Sequence, residues 1–384
     1  MSVSKEDVRN LLASIVLIAL IVFLSILTYV NRPEDVSIQG QVIKGYVLDF
    51  NGVPVDLDDG LDIGVITTQT GPYGFIGVEA IKGFEIARKR VEKDLGIDIR
   101  LDYRDSQCDS DMAVLQAASL SESSDFMIVA DCYKNQDYVS GIDKVSIVLE
   151  PYYGYGTDNQ YFFNTAPGAE VAQLFDSINP DLESLAVVFS DDYFGHEYKD
   201  KVKEEFRKRF SREISAYAYD VGQEGFVRIA SVIAKDKNSA VYFVGLSEGD
   251  ILHFLNSLRT KGYYNQVFTN IAINPSSLEN ADPMDVEGLI MISAFNPISS
   301  RSVVKEFRDE MISSYGTEPS LQSALSYDAL VSIANLQGKD ALGELVRTIA
   351  NEEGVTGLFT MEEDHLQKTF YILTVRNGKL NNLD

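Results

Sequence analysis

Residues Ile63–Lys93 read IGVITTQTGPYGFIGVEAIKGFEIARKRVEK. The first five, IGVIT, are an uninterrupted apolar run of strand length, the pattern of a strand covered on both faces. A Gly- and Pro-containing loop follows, and then Ala80, Phe84, Ala87 and Val91 recur on one face of a helix predicted over Gly77–Leu95. A doubly covered strand feeding a helix is the first half of a right-handed parallel crossover. Outward from here the alternation repeats. Strands are expected at Ile97–Tyr103, Phe126–Ala130, Val145–Leu149, Leu185–Ser190, Ile214–Tyr219, Ala240–Val244, Val267–Asn270, Leu289–Ser293 and Thr369–Val375. Helices are expected at Ala113–Leu120, Glu197–Arg209, Phe226–Ala234, Asp250–Lys261, Val303–Ser314 and Leu321–Leu336. Of these ten strands four fall before residue 166 and six after it, too many for one small sheet and natural for two doubly wound α/β sheets, whose ligands sit outside the carboxyl ends of the strands.

The chain of 384 residues carries a net charge of −25, with acidic residues scattered rather than blocked together. Such a surface repels nucleic acid and anionic membrane, so neither is an expected ligand. Two cysteines and three histidines leave little material for a metal centre, and no HExxH, P-loop or CxxC occurs, so no metal or cofactor is expected.

Leu11–Val30, LLASIVLIALIVFLSILTYV, holds twenty residues without a charge, enough to cross a hydrocarbon core of about 30 Å as a helix. The run is longer than the core of a cleaved signal peptide, no A-x-A-like site follows it, and no cysteine stands near its end for a lipid anchor. The reading is a single uncleaved transmembrane anchor, with 1–10 a cytoplasmic tail, 31–60 a stalk in which 41–50 alternates enough for a small hairpin, and the rest outside the cytoplasm. A cleaved signal peptide is the alternative.

Six segments, in order, resemble type 1 periplasmic binding proteins of the branched-chain amino-acid-binding group. They are the Ile63–Lys93 stretch with its T-G-P loop, LDYRDSQCDSDMAV (Leu101–Val114), FMIVADC (Phe126–Cys132), SDDYFGHEY (Ser190–Tyr198), YDAL (Tyr327–Leu330) and GVTGLFTMEEDHLQKTFYILTVRNGK (Gly354–Lys379). The resemblance implies two Rossmann-like lobes joined by a three-crossing hinge, lobe 1 at 61–165 plus 298–353 and lobe 2 at 166–297 plus 354–384. It implies a small ligand trapped by hinge closure, with an ABC permease or a receptor as partner. It also implies a disulfide between Cys108 and Cys132, at the ends of what are expected to be neighbouring strands, with two buried free thiols as the alternative.

The resemblance further implies that the loops at the strand ends touch the ligand. In lobe 1 these hold Tyr73, Phe75, Asp131, Tyr133, Glu150, Tyr152 and Tyr153, and in lobe 2 Asp191, Tyr193, Phe194, Leu246, Glu248 and Ile271. Relatives have a serine where Tyr133 stands, small residues and a threonine where Tyr152, Tyr153 and Gly154 stand, and an ammonium-binding glutamate where Ile271 falls. The expected ligand is thus an amino acid or related metabolite, or one with aromatic or cationic character, since aromatics stack on flat ligands and hold cations over their faces. The role is uptake, with a sensing ectodomain as the alternative.

Gly245-Leu246-Ser247-Glu248-Gly249 also matches G-x-S-x-G between a strand and a helix, the setting of a hydrolase nucleophile, with His365 downstream in the acidic MEEDHLQK turn. No HGGG-type oxyanion segment precedes it, and the reading adopted is a binding protein, not an enzyme.

Overall fold

The computed structural model describes residues 47–48, 54–55, 60–132, 145–149, 160–164, 168–178, 182–222, 225–236, 238–335, 346 and 348–383. The expected anchor at 11–30 and tail at 1–10 lie outside these residues, as do Tyr133, Glu150, Tyr152 and Tyr153. No helix among the described residues is long and apolar enough to cross a membrane. Strands β1 (Val47–Leu48) and β2 (Pro54–Val55) pair antiparallel.

The first sheet contains β3 (Leu61–Thr67), β4 (Ile99–Asp105), β5 (Phe126–Ala130), β6 (Ser146–Val148) and β7 (Gln160–Phe162), all parallel, in the order β7-β6-β5-β3-β4. The second contains β8 (Ser184–Ser190), β9 (Ile214–Tyr219), β10 (Ser239–Val244), β11 (Val267–Thr269) and β12 (Ile290–Ser293) in the equivalent order β12-β11-β10-β8-β9, also parallel. Both sheets therefore reverse direction beside their first strand, at β3 and β8, the switch point where such sheets leave a crevice. The helices are α1 (Gly74–Leu95), α2 (Ser110–Ser123), α3 (Ala169–Ile178), α4 (Tyr193–Phe210), α5 (Val227–Ile233), α6 (Glu248–Thr260), α7 (Pro275–Glu279), α8 (Pro283–Val286), α9 (Ser302–Tyr315) and α10 (Leu321–Asn335).

The strand IGVIT is buried on both faces, as its composition demands. Ile63 and Val65 join Phe84, Ala87, Val91 and residues of α9 and α10 in one core, while Ile66 joins Ala113, Ala117 and Leu120 of α2 in another. The second lobe is built likewise, with separate cores on the two faces of its sheet. In each lobe the helix after the first strand comes down tightly on the turn before it. A Cβ on Gly77 would stand 1.9 Å from the Thr68 carbonyl oxygen, and one on Gly195 1.9 Å from that of Ser190. Only glycine admits this approach of helix to strand end.

Two expectations are corrected. Residues 354–368 belong to the first sheet rather than to lobe 2. There β13 (Glu352–Gly354), β14 (Gly357–Glu362) and β15 (His365–Lys368) add to its edge, β15 pairing parallel with β7 through His365 and Phe162. The last crossing falls between Lys368 and Tyr371, after which β16 (Tyr371–Arg376) and β17 (Lys379–Asn382) extend the second sheet antiparallel. A hairpin read as one unit is thus shared between lobes, because each half finds an open sheet edge. The disulfide between Cys108 and Cys132 is present, with its Cα atoms 5.4 Å apart, but it does not join neighbouring strands. β3 lies between β4 and β5, and the bridge passes over its carboxyl end.

The edge formed by β13–β15 is locked from inside. Asp328 on α10 accepts hydrogen bonds from the Val355 N–H (2.7 Å), the Thr356 N–H (2.8 Å) and the Thr356 hydroxyl. Lys368 Nζ donates to Thr356 Oγ1 at 2.7 Å and lies over the rings of Phe163 and Phe359 at 5.4 and 5.3 Å. Burial lowers the Lys368 ammonium to about 8 against the pull of Asp328, and burial likewise raises Asp328. Removing one member of such a pair strands the other. Asp328→Ala is expected to cost about 3–5 kcal/mol in urea unfolding, and Asp328→Ala with Lys368→Met to recover only the part due to the stranded ammonium, since the Val355 and Thr356 N–H groups stay unsatisfied. If the double variant is as unstable as the single, the pair does not carry the cost. Cys108→Ser with Cys132→Ser opens a loop with a sequence separation of 24 and is expected to cost roughly 3 kcal/mol in the same assay.

Candidate functional site

A direct hydrogen bond joins the carboxyl ends of the two sheets. Tyr73, in the T-G-P loop after β3, donates its hydroxyl to Asp192 Oδ2 at 2.9 Å. Asp192 is itself fixed, its Oδ1 accepting from the Gly195 N–H (2.7 Å) and the Ser190 hydroxyl (3.0 Å) as the cap of α4. Burial, then the Asp192 charge, raises the Tyr73 phenol, so it stays a donor. Beside it Ile76 is buried in the second-lobe core with Phe194, and Phe75 packs against the same cluster.

Next to this junction lies a cavity of about 100 Å³ lined from both lobes. The first lobe contributes Asn164 after β7 and Ser320, Leu321 and Gln322 at the start of α10. The second contributes Glu170 of α3, Phe194 and Tyr198 of α4, Gly245, Leu246 and Glu248 after β10, and Asn270, Ile271 and Ala272 after β11. Ser293 and Ala294 at the second crossing and Phe370 at the third close its back. The walls thus combine apolar surface with a few amides, hydroxyls and carboxyls, the make-up of a small-molecule site.

Two loops are held in register by Asn270, whose Oδ1 accepts from the Gly245 N–H (3.0 Å) and whose Nδ2 donates to the Gly245 carbonyl (2.9 Å). Glu248 accepts from the Asn274 N–H at 3.2 Å and from the Ser277 hydroxyl at 2.6 Å, so both its oxygens are engaged with the start of α7; burial raises its carboxyl nonetheless. Glu170 differs. Burial lifts its carboxyl to about 7, although the Tyr198 hydroxyl and the N–H groups of Glu170 and Gly168 favour the ionised form. Its Oε2 is buried without a hydrogen-bond partner among the described residues. Behind it the Tyr198 hydroxyl lies 3.1 Å from that of Tyr242.

Of the residues expected at the site, Phe194, Leu246, Glu248 and Ile271 come together in this cavity. Tyr73 bridges the lobes beside it. Asp131 is buried at the end of β5, its Oδ1 accepting from the hydroxyls of Thr68 and Ser106 and from the Cys132 N–H, so it ties three strand ends together. Asp191 is exposed and pairs with His196 Nε2 at 2.8 Å, and Tyr193 is exposed beside it. Neither these nor Phe75 line the cavity. Reading the strand-end loops missed Glu170, Tyr198, Asn164, Gln322 and Phe370. Val171, Leu174, Phe175 and Ile178, spaced as one helical face, would have revealed α3 and its first-turn glutamate.

Ser247 is the cap of α6, its hydroxyl accepting from the Asp250 N–H at 3.3 Å. His365 is not in an exposed turn. It lies on β15 in the other lobe's sheet, half-buried, stacked on Phe162 and bonded through Nδ1 to Asp364.

The sequence profile of the periplasmic binding protein family matches residues 60–376. Among solved structures, a leucine-binding protein from Thermotoga maritima superposes with a TM-score of 0.71 at 19% identity, covering 84% of this chain and 98% of its own. An ABC transporter solute-binding protein from R. palustris in complex with benzoate gives 0.72 at 17%, covering 84% and 95%. The branched-chain amino acid transporter substrate-binding protein from Streptococcus pneumoniae in complex with isoleucine gives 0.70 at 17%, covering 84% and 97%. No curated protein sequence matches the chain.

The raised Glu170 carboxyl has a thermodynamic signature. Between the ordinary glutamate value of 4.5 and about 7 the folded state holds a proton that the unfolded state releases, so this group's contribution to stability falls as pH rises through that window. Glu170→Gln removes the effect. It is expected to melt above the wild type at pH 8, with the gap closing toward pH 5; a gap that does not change with pH would contradict the burial described.

Proposed function

Because the chain belongs to the periplasmic binding protein family, we propose that it captures a small metabolite between its two lobes for ABC-type uptake, outside the cytoplasm and tethered by the uncharged segment Leu11–Val30. The observation that carries this reading is the cavity lined from both lobes and backed by two of the three crossings. A ligand touching both walls stabilises the closed arrangement by its differential affinity for it. The ligand class, an amino acid or a related aromatic or cationic metabolite, draws support from the apolar and aromatic walls, Phe194, Tyr198, Leu246 and Phe370, around a few polar groups. Leucine, isoleucine and benzoate are named with the similar structures above.

The binding role needs no catalytic group, and Ser247 favours it. Its hydroxyl is engaged as a helix cap, and His365 belongs to the opposite sheet.

The test is a thermal-shift screen of the detergent-solubilised full chain against a broad metabolite set. A ligand at a hundred times its dissociation constant is expected to add about 2.7 kcal/mol of stability, in the wild type and in Ser247→Ala alike. A screen without a single hit would remove the binding reading. Ester turnover lost in Ser247→Ala would replace it with hydrolysis.

A further inference from the structure

Beside the cavity the lobes share a second set of contacts. Tyr73 donates its hydroxyl to Asp192 Oδ2 at 2.9 Å. Three residues on, Ile76 belongs to the first lobe by sequence and to the second by burial. It is 1% exposed, within the apolar cluster that holds Val171, Phe189, Phe194 and Tyr198. Tyr73 and Phe75 pack against the same cluster. Tyr73, Ile76 and Asp192 do not line the cavity, so these contacts form without any ligand atom.

Both partners are fixed within their own lobes. On the first-lobe side the T-G-P loop is tied to the end of β4, where Asp105 accepts from the Gln69 N–H (2.8 Å) and the Thr70 hydroxyl (2.7 Å). The Tyr73 carbonyl accepts from the Ile76 N–H at 3.0 Å, so the two residues move together. Gly74 brings α1 down on this loop, for a Cβ there would stand 2.8 Å from the Gln69 carbonyl oxygen. On the second-lobe side Asp192 uses Oδ1 for the Gly195 N–H and the Ser190 hydroxyl, which leaves Oδ2 for Tyr73. Groups held in place beforehand lose little freedom when they meet, so their contact keeps most of its free energy.

The position gives the contact leverage. The crossings leave the sheets beside β7 and β12, and β3 and β8, which carry Tyr73 and Asp192 at their ends, stand three strands away in each sheet. At the spacing of paired strands that is roughly 14 Å. A small rotation at the crossings therefore parts Tyr73 from Asp192. It breaks a hydrogen bond to a carboxylate and returns Ile76 to water, and each change is unfavourable.

We infer that Tyr73 and Ile76 form a latch, closing on Asp192 and on the second-lobe core, that holds the lobes together without help from a ligand. They are positioning residues. Ligand affinity scales with the fraction of free chains already in the binding-competent arrangement, so the latch sets affinity from outside the cavity. This goes beyond the binding reading and stands without it, since it concerns the arrangement of the lobes alone.

The experiment measures that arrangement. Both native cysteines are joined in the disulfide, so introduced cysteines take spin labels selectively. Ser119 on α2 and Arg228 on α5 are exposed, and their helices follow β4 and β9, the strands farthest from the crossings. The detergent-solubilised full chain with Ser119→Cys and Arg228→Cys is unfolded in urea, dialysed free of carried ligand, refolded, labelled and measured by double electron–electron resonance with no ligand added. One narrow distance distribution, at the separation in this structure, is expected. Tyr73→Phe, which keeps every apolar contact, should lower the ratio of closed to open chains about tenfold. Tyr73→Phe with Ile76→Ala should lower it about a hundredfold or more and bring a second, longer population into the distribution, with the urea midpoint close to that of the parent. An open distribution in the parent would overturn the inference. So would variants whose distances match the parent's, and a lowered urea midpoint in those variants would assign the pair to the fold instead. A metabolite screen without hits removes the binding reading and leaves the latch, because the distances are read without a ligand.

Discussion

A parallel strand buried on both faces governs this molecule. β3 and β8 have helices above and below, so neither face is available to a ligand, and the hydrogen-bonded edges are taken by β4 and β5 in one lobe and β9 and β10 in the other. What remains open is the carboxyl end, where the order reverses. The tight descent of α1 onto Thr68 and of α4 onto Ser190, possible because Gly77 and Gly195 carry no Cβ, brings the two helix starts close to those ends. Both turns then present a side chain across the gap, and Tyr73 meets Asp192 there. The junction between lobes follows from how each strand is covered.

Three crossings hold the lobes at this junction, and the polar chemistry concentrates around them. Gln173 of α3 donates to the Phe370 carbonyl at 2.9 Å, tying the helix after the first crossing to the third. Arg301, after the second crossing, donates to the carbonyls of Gly354 and Val355, each at 2.7 Å. Lys368, the last residue of β15, is held by Thr356 and two aromatic rings. These bonds hold the first-lobe edge up to the residue where the chain departs.

How much of this was legible follows from length and periodicity. The five-residue apolar runs, and helices such as α1 with a clear 3.6-residue stripe, announce themselves because burial of both strand faces or of one helix face dictates residue type along their whole length. β7, three residues long and preceded by a Tyr- and Gly-rich stretch, has too short a run to register, whereas the apolar spacing of α3 is regular but spans only ten residues. The site is less legible, since strand-end loops supply only part of it and the cavity also draws on the first turns of α3 and α10 and on two crossings. Asp131 shows the opposite error. An acidic residue at a strand end reads as a ligand group, yet its hydrogen bonds to Thr68 and Ser106 bind together the ends of β3, β4 and β5 beneath the disulfide.

Ile271 and Glu170 show how the acidic groups of this cavity differ in place from what the resemblance implies. Where the resemblance expects a glutamate on the loop after β11, this chain has a buried isoleucine in the second-lobe core, in position to wall the cavity and unable to recognise charge. Among the described residues the carboxyl groups come instead from α6 and α3, and the one on α3 has an oxygen, Oε2, without a hydrogen-bond partner there. Glu170 stands on the helix that follows the first crossing, and Gln173 of the same helix is bonded to the third, so one element shapes the cavity wall and ties two crossings together.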